Sequence, residues 1–396
     1  MSPTRQQVVY YTSFATDYAY FAFLFAATRL LAETGGSQWQ LGIFGACTSV
    51  SYALSGPLAG AVSDRWGRRR VMLTGAIGTI AVLAVGATWA SRKLFYVMAA
   101  VGGVAVALIY PPLIAWLTEE TRDLGGRLYR FCLAWNFGVI ASQITGGWLF
   151  SIHPSLPMAT AIVPMLGVVL LIAVWKPDPS PKAAAVPIAE TAPTPETRKA
   201  LAFVYLAWLS NFAGALSFSL IVHLFPFLAH ELGISPPVHG AMLAINRLLV
   251  VGVYAVMYRF PFWHYRLWTA LTSQAFAAAG LFILGYASSV PVLTFGLTLV
   301  AGMLGYNYFA SIFYSTSAFG RERKGIASGI HEATLAFGGG VGALGGGILG
   351  TVYGSRTPYR LCVLLLLASI VIQITIYLAS RSRWQPQRAP QEDLVV

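Results

Sequence analysis

The sequence predicts an all-α integral membrane protein of twelve transmembrane helices, in two six-helix bundles related by a pseudo-two-fold axis. Three observations carry this. Charge is too scarce for a water-facing surface: 26 basic and 14 acidic residues in 396, or 10%, while 57% of the chain is hydrophobic. A soluble domain carries about 25% charged residues. The apolar residues fall into twelve runs, each near the 20 residues a helix needs to cross the hydrocarbon core. A polar linker divides the runs six and six, and a row of small residues recurs 200 positions apart in the fifth run of each half.

Spans are expected at 8–31, 39–62, 71–90, 94–117, 131–152 and 157–175, then at 202–228, 239–258, 267–287, 290–316, 326–352 and 361–380. A helix satisfies its own backbone hydrogen bonds, which lipid requires. The first run is too long for a signal-peptide core and reads as a retained span. Pro111 and Pro112 in the fourth run, and Gly338 to Gly340 in the eleventh, would break a helix in water. In a bundle, neighbouring helices can satisfy the freed groups. Between the sixth and seventh runs, Lys176 to Lys199 is rich in Pro, Ala, Thr and Glu without apolar periodicity, and reads as a flexible linker. The expected organisation is therefore bundle 1–175, linker 176–201, bundle 202–380 and tail 381–396.

Basic residues set the expected orientation. With the N-terminus inside, twenty lie on the cytoplasmic side and four (Arg92, Lys93, Arg356, Arg360) outside. Positive charge stays on the cytoplasmic side, so both termini are expected there, in a multi-pass protein of the cell membrane. The net charge of +12 then reflects topology and anionic lipid, and nucleic acid is not an expected partner. Cys47, Cys132 and Cys362 sit in apolar runs at no ligand spacing, which argues against disulfides and metal.

The fifth run carries Gly138, Ser142, Gln143, Gly146 and Gly147; the eleventh carries Gly338, Gly342, Ala343, Gly346 and Gly347. Phe137 and Phe337 agree in register, as do Gly125 and Gly325. Rows of small residues let helix backbones approach closely in lipid. Their recurrence at the fifth position of each half indicates parallel repeats, as in transporters that rock about a central site.

The loop after the second run reads Gly60-Ala61-Val62-Ser63-Asp64-Arg65-Trp66-Gly67-Arg68-Arg69-Arg70. It resembles the signature between helices two and three of the major facilitator superfamily, with Gly60, Asp64, Arg65, Gly67 and Arg68 matching directly. Asp64 lies at a helix end facing the predicted start of the eleventh span, where a helix N-terminus attracts a carboxylate. The resemblance implies that this contact latches the halves in the outward-open state. Arg65, Arg68 and Arg69 could pair with Glu119 or Glu120, or could serve topology alone. The second half lacks the pattern between Tyr258 and Arg266. Two features of drug–proton antiporters are also missing: an arginine within the fourth helix, and the Gly-Pro pair of the fifth, where this chain has Ser142 and Gln143.

Of the 40 charges, Asp17, Arg247 and Glu332 lie well inside spans, with Arg29 near the end of the first. A charge at the bilayer centre costs at least about 2.5–3.5 kcal/mol and is a functional candidate by default. Asp17, Arg247, Glu332 and the adjacent His331 are therefore candidates for proton or ion coupling. A structural ion pair with Arg247 is the plainer alternative for the carboxylates. Arg247 could instead hold an anionic group of the substrate, since guanidinium suits carboxylate and phosphate.

The resemblance places helices 1, 4, 7 and 10 around the cavity, which nominates Tyr18, Tyr110, Trp208, Asn211, Tyr306, Asn307 and Tyr308. Tyr20 and His223 lie on the same helices; His223 reads as a packed residue. No phosphate loop, nucleophile or paired water-facing carboxylates appear, so no enzyme and no cofactor is expected. The leading reading is a secondary transporter, expected to be monomeric, that moves a small polar or anionic solute by rocker-switch alternating access with proton coupling. A uniporter, a non-transporting receptor and a lipid flippase remain open at this point.

Overall fold

A computed structural model describes residues 4–88, 92–118, 123–175, 195–318, 324–381 and 384. Among them every regular element is helical. Spans 1 to 3 are Arg5–Glu33, Gln38–Trp66 and Arg68–Thr88; span 4 is Arg92–Ala107 continued by Tyr110–Thr118; spans 5 and 6 are Leu124–Ile152 and Leu156–Val174. Span 7 runs through Pro195–Ser219, Leu220–Leu224 and Phe225–Glu231, and span 8 is Pro236–Arg259. Spans 9 to 12 are Leu267–Tyr286, Val290–Ala318, Lys324–Tyr353 and Thr357–Arg381.

Several helices outrun their apolar cores, because backbone caps rather than hydropathy end a helix. Thr4 and Ser37 open spans 1 and 2 with reciprocal capping boxes: each side chain accepts from the backbone of Gln7 or Gln40, whose side chain accepts in return. The predicted linker gives way to helix at Pro195, seven residues earlier than expected, while residues 176–194 lie outside the described set. Among the described residues, ten helices are long and apolar enough to cross a membrane. The other two spans, Arg5–Glu33 and Leu124–Ile152, pack against each other. Span 1 buries most of its residues against protein, so it needs little lipid-facing apolar surface.

Two spans are broken. In span 4 the helix stops at Ala107 and restarts at Tyr110, ahead of Pro111 and Pro112. Proline removes a donor, clashes with the carbonyl one turn earlier, and disfavours helical backbone in the residue before it. In span 7, Leu220–Leu224 forms a π-turn just before Pro226. Such turns recur at functional sites, and this one carries His223.

The repeat is visible in the packing. Span 5 lies along span 1 and span 8; span 11 lies along span 7 and span 2. Gly138 leaves no room for a Cβ beside the carbonyl of Phe14, and Gly338 repeats this beside the carbonyl of Phe212. Across the two halves, Gly240 abuts Gly147 and the Gln143 carbonyl, while Gly42 abuts Gly347 and the Ala343 carbonyl.

These crossings seal the end of the molecule away from the termini. Three bonds between halves reinforce it: Trp39 N–H to Thr351 Oγ1 at 2.7 Å, Arg29 Nη2 to the Ile234 carbonyl at 2.8 Å, and Gln38 Nε2 to the Ser355 carbonyl at 3.3 Å. Further down span 2, a Cβ at Gly56 or Gly60 would meet no described atom within 4 Å. At that end Tyr129 of span 5 stacks on Tyr258 of span 8, with ring centroids 4.6 Å apart.

Candidate functional site

A cavity of about 200 Å³ lies between the halves. Its walls come mostly from spans 1, 4, 7 and 10, as the resemblance implied, and also from spans 2, 5, 8 and 11. All three intramembrane charges reach it, and each is at least nine-tenths buried: Asp17 at 7% exposed, Arg247 at 5% and Glu332 at 9%.

The two carboxylates are held alike. Tyr110 donates its hydroxyl to Asp17 Oδ2, joining span 4 to span 1. Tyr52 donates to Glu332 Oε2 at 2.7 Å, joining span 2 of one half to span 11 of the other. The break before Pro111 starts the short helix that carries Tyr110. Glu332 also stands 3.7 Å from His331 Nε2, while Ser311 meets His331 Nδ1 at 2.8 Å.

Arg247 is different. It forms no ion pair with either carboxylate within 4.0 Å; the ion pairs among the described residues include Arg29–Glu33, Arg130–Asp123 and His331–Glu332. The alternative of a structural pair is therefore not what the geometry contains. Its neighbours are rings: the guanidinium lies 4.2 Å from the Phe218 centroid, 5.8 Å from Phe21 and 5.9 Å from Trp135. Its Nη2 is buried without a hydrogen-bond partner. A desolvated cation–ring contact contributes about 2 kcal/mol, whereas taking an ion out of water costs several kcal/mol even after relaxation. The rings alone leave this cation under-compensated.

The remaining nominated residues divide. Tyr110, Asn211, Asn307 and Tyr308 line the cavity. Asn211 donates to the His331 carbonyl at 3.3 Å and to Thr334 Oγ1 at 3.2 Å, and Asn307 donates to the Ser210 carbonyl at 2.6 Å. Tyr18, Trp208, Tyr306 and His331 are not among the lining residues. Tyr18 bonds Thr145 at 3.0 Å, Trp208 donates to Ser315 at 2.8 Å, and Tyr306 meets Thr269 at 2.8 Å. Tyr306, Asn307 and Tyr308 are consecutive, and a helix turns about 100° per residue, so the two tyrosines point to opposite sides.

Tyr52, Trp135, Phe218 and Tyr254 line the cavity and were not nominated. Tyr52 follows Gly42, Gly45 and Ser49 at helical spacing, so the small-residue row of span 2 carries the signal for its face. His223, read as a packed residue, also lines the cavity.

The loop from Gly60 to Arg70 forms a tight turn. Gly67 takes φ +88°, in the region favouring glycine, and its N–H caps span 2 on the Ser63 carbonyl at 3.0 Å. Asp64 and Arg65 are exposed. Glu119 and Glu120 lie outside the described residues, as do the side chains of 324–329 at the start of span 11. Arg69 donates to the Ala173 carbonyl at 2.5 Å, so its observed partner is the end of span 6.

A family model for the Major Facilitator Superfamily matches residues 9–263 and 207–394. A Bacillus subtilis (strain 168) protein described as the uncharacterized MFS-type transporter YqjV is 29% identical over 161 residues. That match spans 39% of each chain, so the chain covers about two-fifths of that relative. The fold resembles the human organic anion transporter MFSD10 (TETRAN), with a TM-score of 0.71 and 20% identity over 94% of this chain and 100% of that one. It also resembles the nucleoside transporter NupG, with a TM-score of 0.65 and 12% identity over 97% of this chain and 100% of that one.

Proposed function

The chain belongs to the Major Facilitator Superfamily, and from that premise we propose that this membrane transporter is a proton-coupled secondary transporter of a small polar or anionic solute. One observation carries the proposal. Two buried carboxylates, one from each half, face the inter-half cavity and accept hydrogen bonds from tyrosine hydroxyls. A carboxylate so held can gain and lose a proton without breaking an ion pair to arginine or lysine. Glu332 adds a mechanical link, because its bond to Tyr52 spans the halves. Protonating Glu332 removes charge from that bond as the halves part.

Alternating access follows as rocking of one six-helix half on the other. The seal at the end away from the termini supports an inward-facing arrangement with both termini in the cytoplasm, in which the Tyr129–Tyr258 stack still bridges the halves at the cytoplasmic end. In the opposite state, Asp64 would meet the start of span 11, closing the latch that the resemblance implies. The protein acts as a monomer in the cell membrane on this reading.

The test begins with thermal-shift screening of the purified protein against metabolite pools. The best hit is then followed by counterflow and by uptake under a pH gradient in proteoliposomes. Glu332→Gln is expected to keep counterflow and lose pH-driven concentration of the solute. Asp17→Asn is expected to do the same, or to lose both. Concentrative uptake unchanged in both variants would overturn proton coupling through these residues.

A further inference from the structure

Resting on the reading of this cavity as the substrate site, we infer that the substrate is an organic anion with a flat aromatic body, whose carboxylate or sulfonate seats on Arg247. The central observation is the guanidinium, only 5% exposed, lining the cavity with Nη2 unpartnered and no carboxylate within 4.0 Å. Guanidinium N–H groups form a planar fork that matches the two oxygens of an acid group. Asp17 and Glu332 line the same cavity and are held by Tyr110 and Tyr52 with no contact to the guanidinium within 4.0 Å, which leaves its N–H fork free for an acid group of a solute.

The body of the substrate is read from the walls. Phe21, Phe218 and Trp135 surround the guanidinium, and Tyr254 and Tyr308 continue the aromatic surface. Rings attract rings in offset or edge-on contact. A cavity of about 150 Å³ suffices for benzene, so about 200 Å³ takes one ring with an acid group attached. Asn211 and Asn307 spend their amide N–H groups on protein acceptors, and the unpartnered polar atoms left on the wall, Asn307 Oδ1, Tyr254 Oη and His223 Nδ1, are single points rather than paired forks. The repeat sharpens the assignment. Tyr110 and Tyr308 stand 198 positions apart, as do Gly42 and Gly240, whereas the equivalent of Arg247 is Ser49. The acid-binding end therefore belongs to one side of the cavity, and the substrate enters with a fixed polarity.

The test uses the full chain in nanodiscs with two matched pairs of probes, benzoate against benzamide and indole-3-carboxylate against indole-3-carboxamide. Binding is read by calorimetry. Each acid is expected to bind about ten- to hundredfold more tightly than its amide, the range of one charge-assisted hydrogen bond. Acetate is expected to bind no better than the amides. Arg247→Gln should abolish the acid–amide difference, and Arg247→Lys should keep part of it, which separates anion recognition from misfolding. Amides binding as well as acids, no aromatic acid binding, or discrimination surviving in Arg247→Gln would each overturn the inference. Binding of the acids with no translocation under any gradient would instead refute the transport reading and leave the anion site standing.

Discussion

Tyr18 and Tyr110 are both buried or half-buried tyrosines of the first half, yet their roles differ by where their hydroxyls go. Tyr110→Phe strips Asp17 of its donor and is expected to shift the pH profile of transport. Tyr18→Phe removes a bond to Thr145 within one half. It should cost about 1 kcal/mol of stability and leave the KM of transport unchanged. A pH profile and a KM measured on both variants check the pair. His264 gives a prediction outside the membrane. It stacks on Phe313 at 4.8 Å, and burial pushes its imidazole below the usual histidine range. The unfolded chain therefore binds its proton more readily, so this contribution to stability falls as pH drops below the ordinary histidine pKa of about 6.5. The melting temperature of His264→Phe should fall less than wild type between neutral and mildly acidic pH; an equal fall would count against the assignment. At this scale the charges were legible, because any charge in an apolar run stands out. The aromatic walls were not, because Trp135 and Phe218 look like the lipid-facing aromatics that fill the same runs.

The helices were legible as runs of apolar residues, and their breaks as prolines; what the breaks do was not. Pro111 and Pro112 read as merely tolerable in a bundle, whereas the interruption they cause begins the segment that holds Tyr110. Replacing both by alanine should let helix continue through Leu108 and Ile109 and rotate Tyr110 away from Asp17. Transport is expected to drop severalfold while the melting temperature stays level or rises, since proline in a helix interior costs about 3 kcal/mol. Equal transport in the double variant would remove the break from the mechanism. The small-residue row makes a second prediction. Gly138→Val and Gly338→Val both force side chains into a carbonyl of the neighbouring span. Each should destabilise by about 1–3 kcal/mol, read as a lower melting temperature, and the similarity of the two losses checks the repeat energetically. Helices that carry more polar residues give a weaker signal: spans 1 and 5 fall outside the ten that length and apolarity alone pass among the described residues, although their apolar runs at 8–31 and 131–152 were legible.

At the scale of the molecule, closure of one end is carried by backbone crossings and three hydrogen bonds rather than by ion pairs. A cysteine pair at Trp39 and Thr351 bridges this seal, where the main chain of one half meets the side chain of the other. Oxidation should lock the closed end and stop transport, and reductant should restore it. The native thiols Cys132 and Cys362 are buried and interfere little, and the half-buried Cys47 is removed as Cys47→Ser. Transport that continues through a quantitatively formed bridge would mean that this end does not open. The two-bundle plan was legible because one duplicated row leaves a fixed spacing. The arrangement of the halves was not, since the glycines that permit close crossing do not say at which end of the spans the two halves meet.

Trp135 gives the cavity an optical consequence. Its indole stands beside Arg247 and edge-on to Tyr308, at 5.3 Å, and comes from span 5 of the first half while both neighbours come from the second. A bound ring or a separation of the halves changes the polarity and quenching around one indole among the eleven tryptophans of the chain. The difference in emission between wild type and Trp135→Phe is thus a built-in spectroscopic gauge, able to follow occupancy, and the proposed rocking, in real time without an added label.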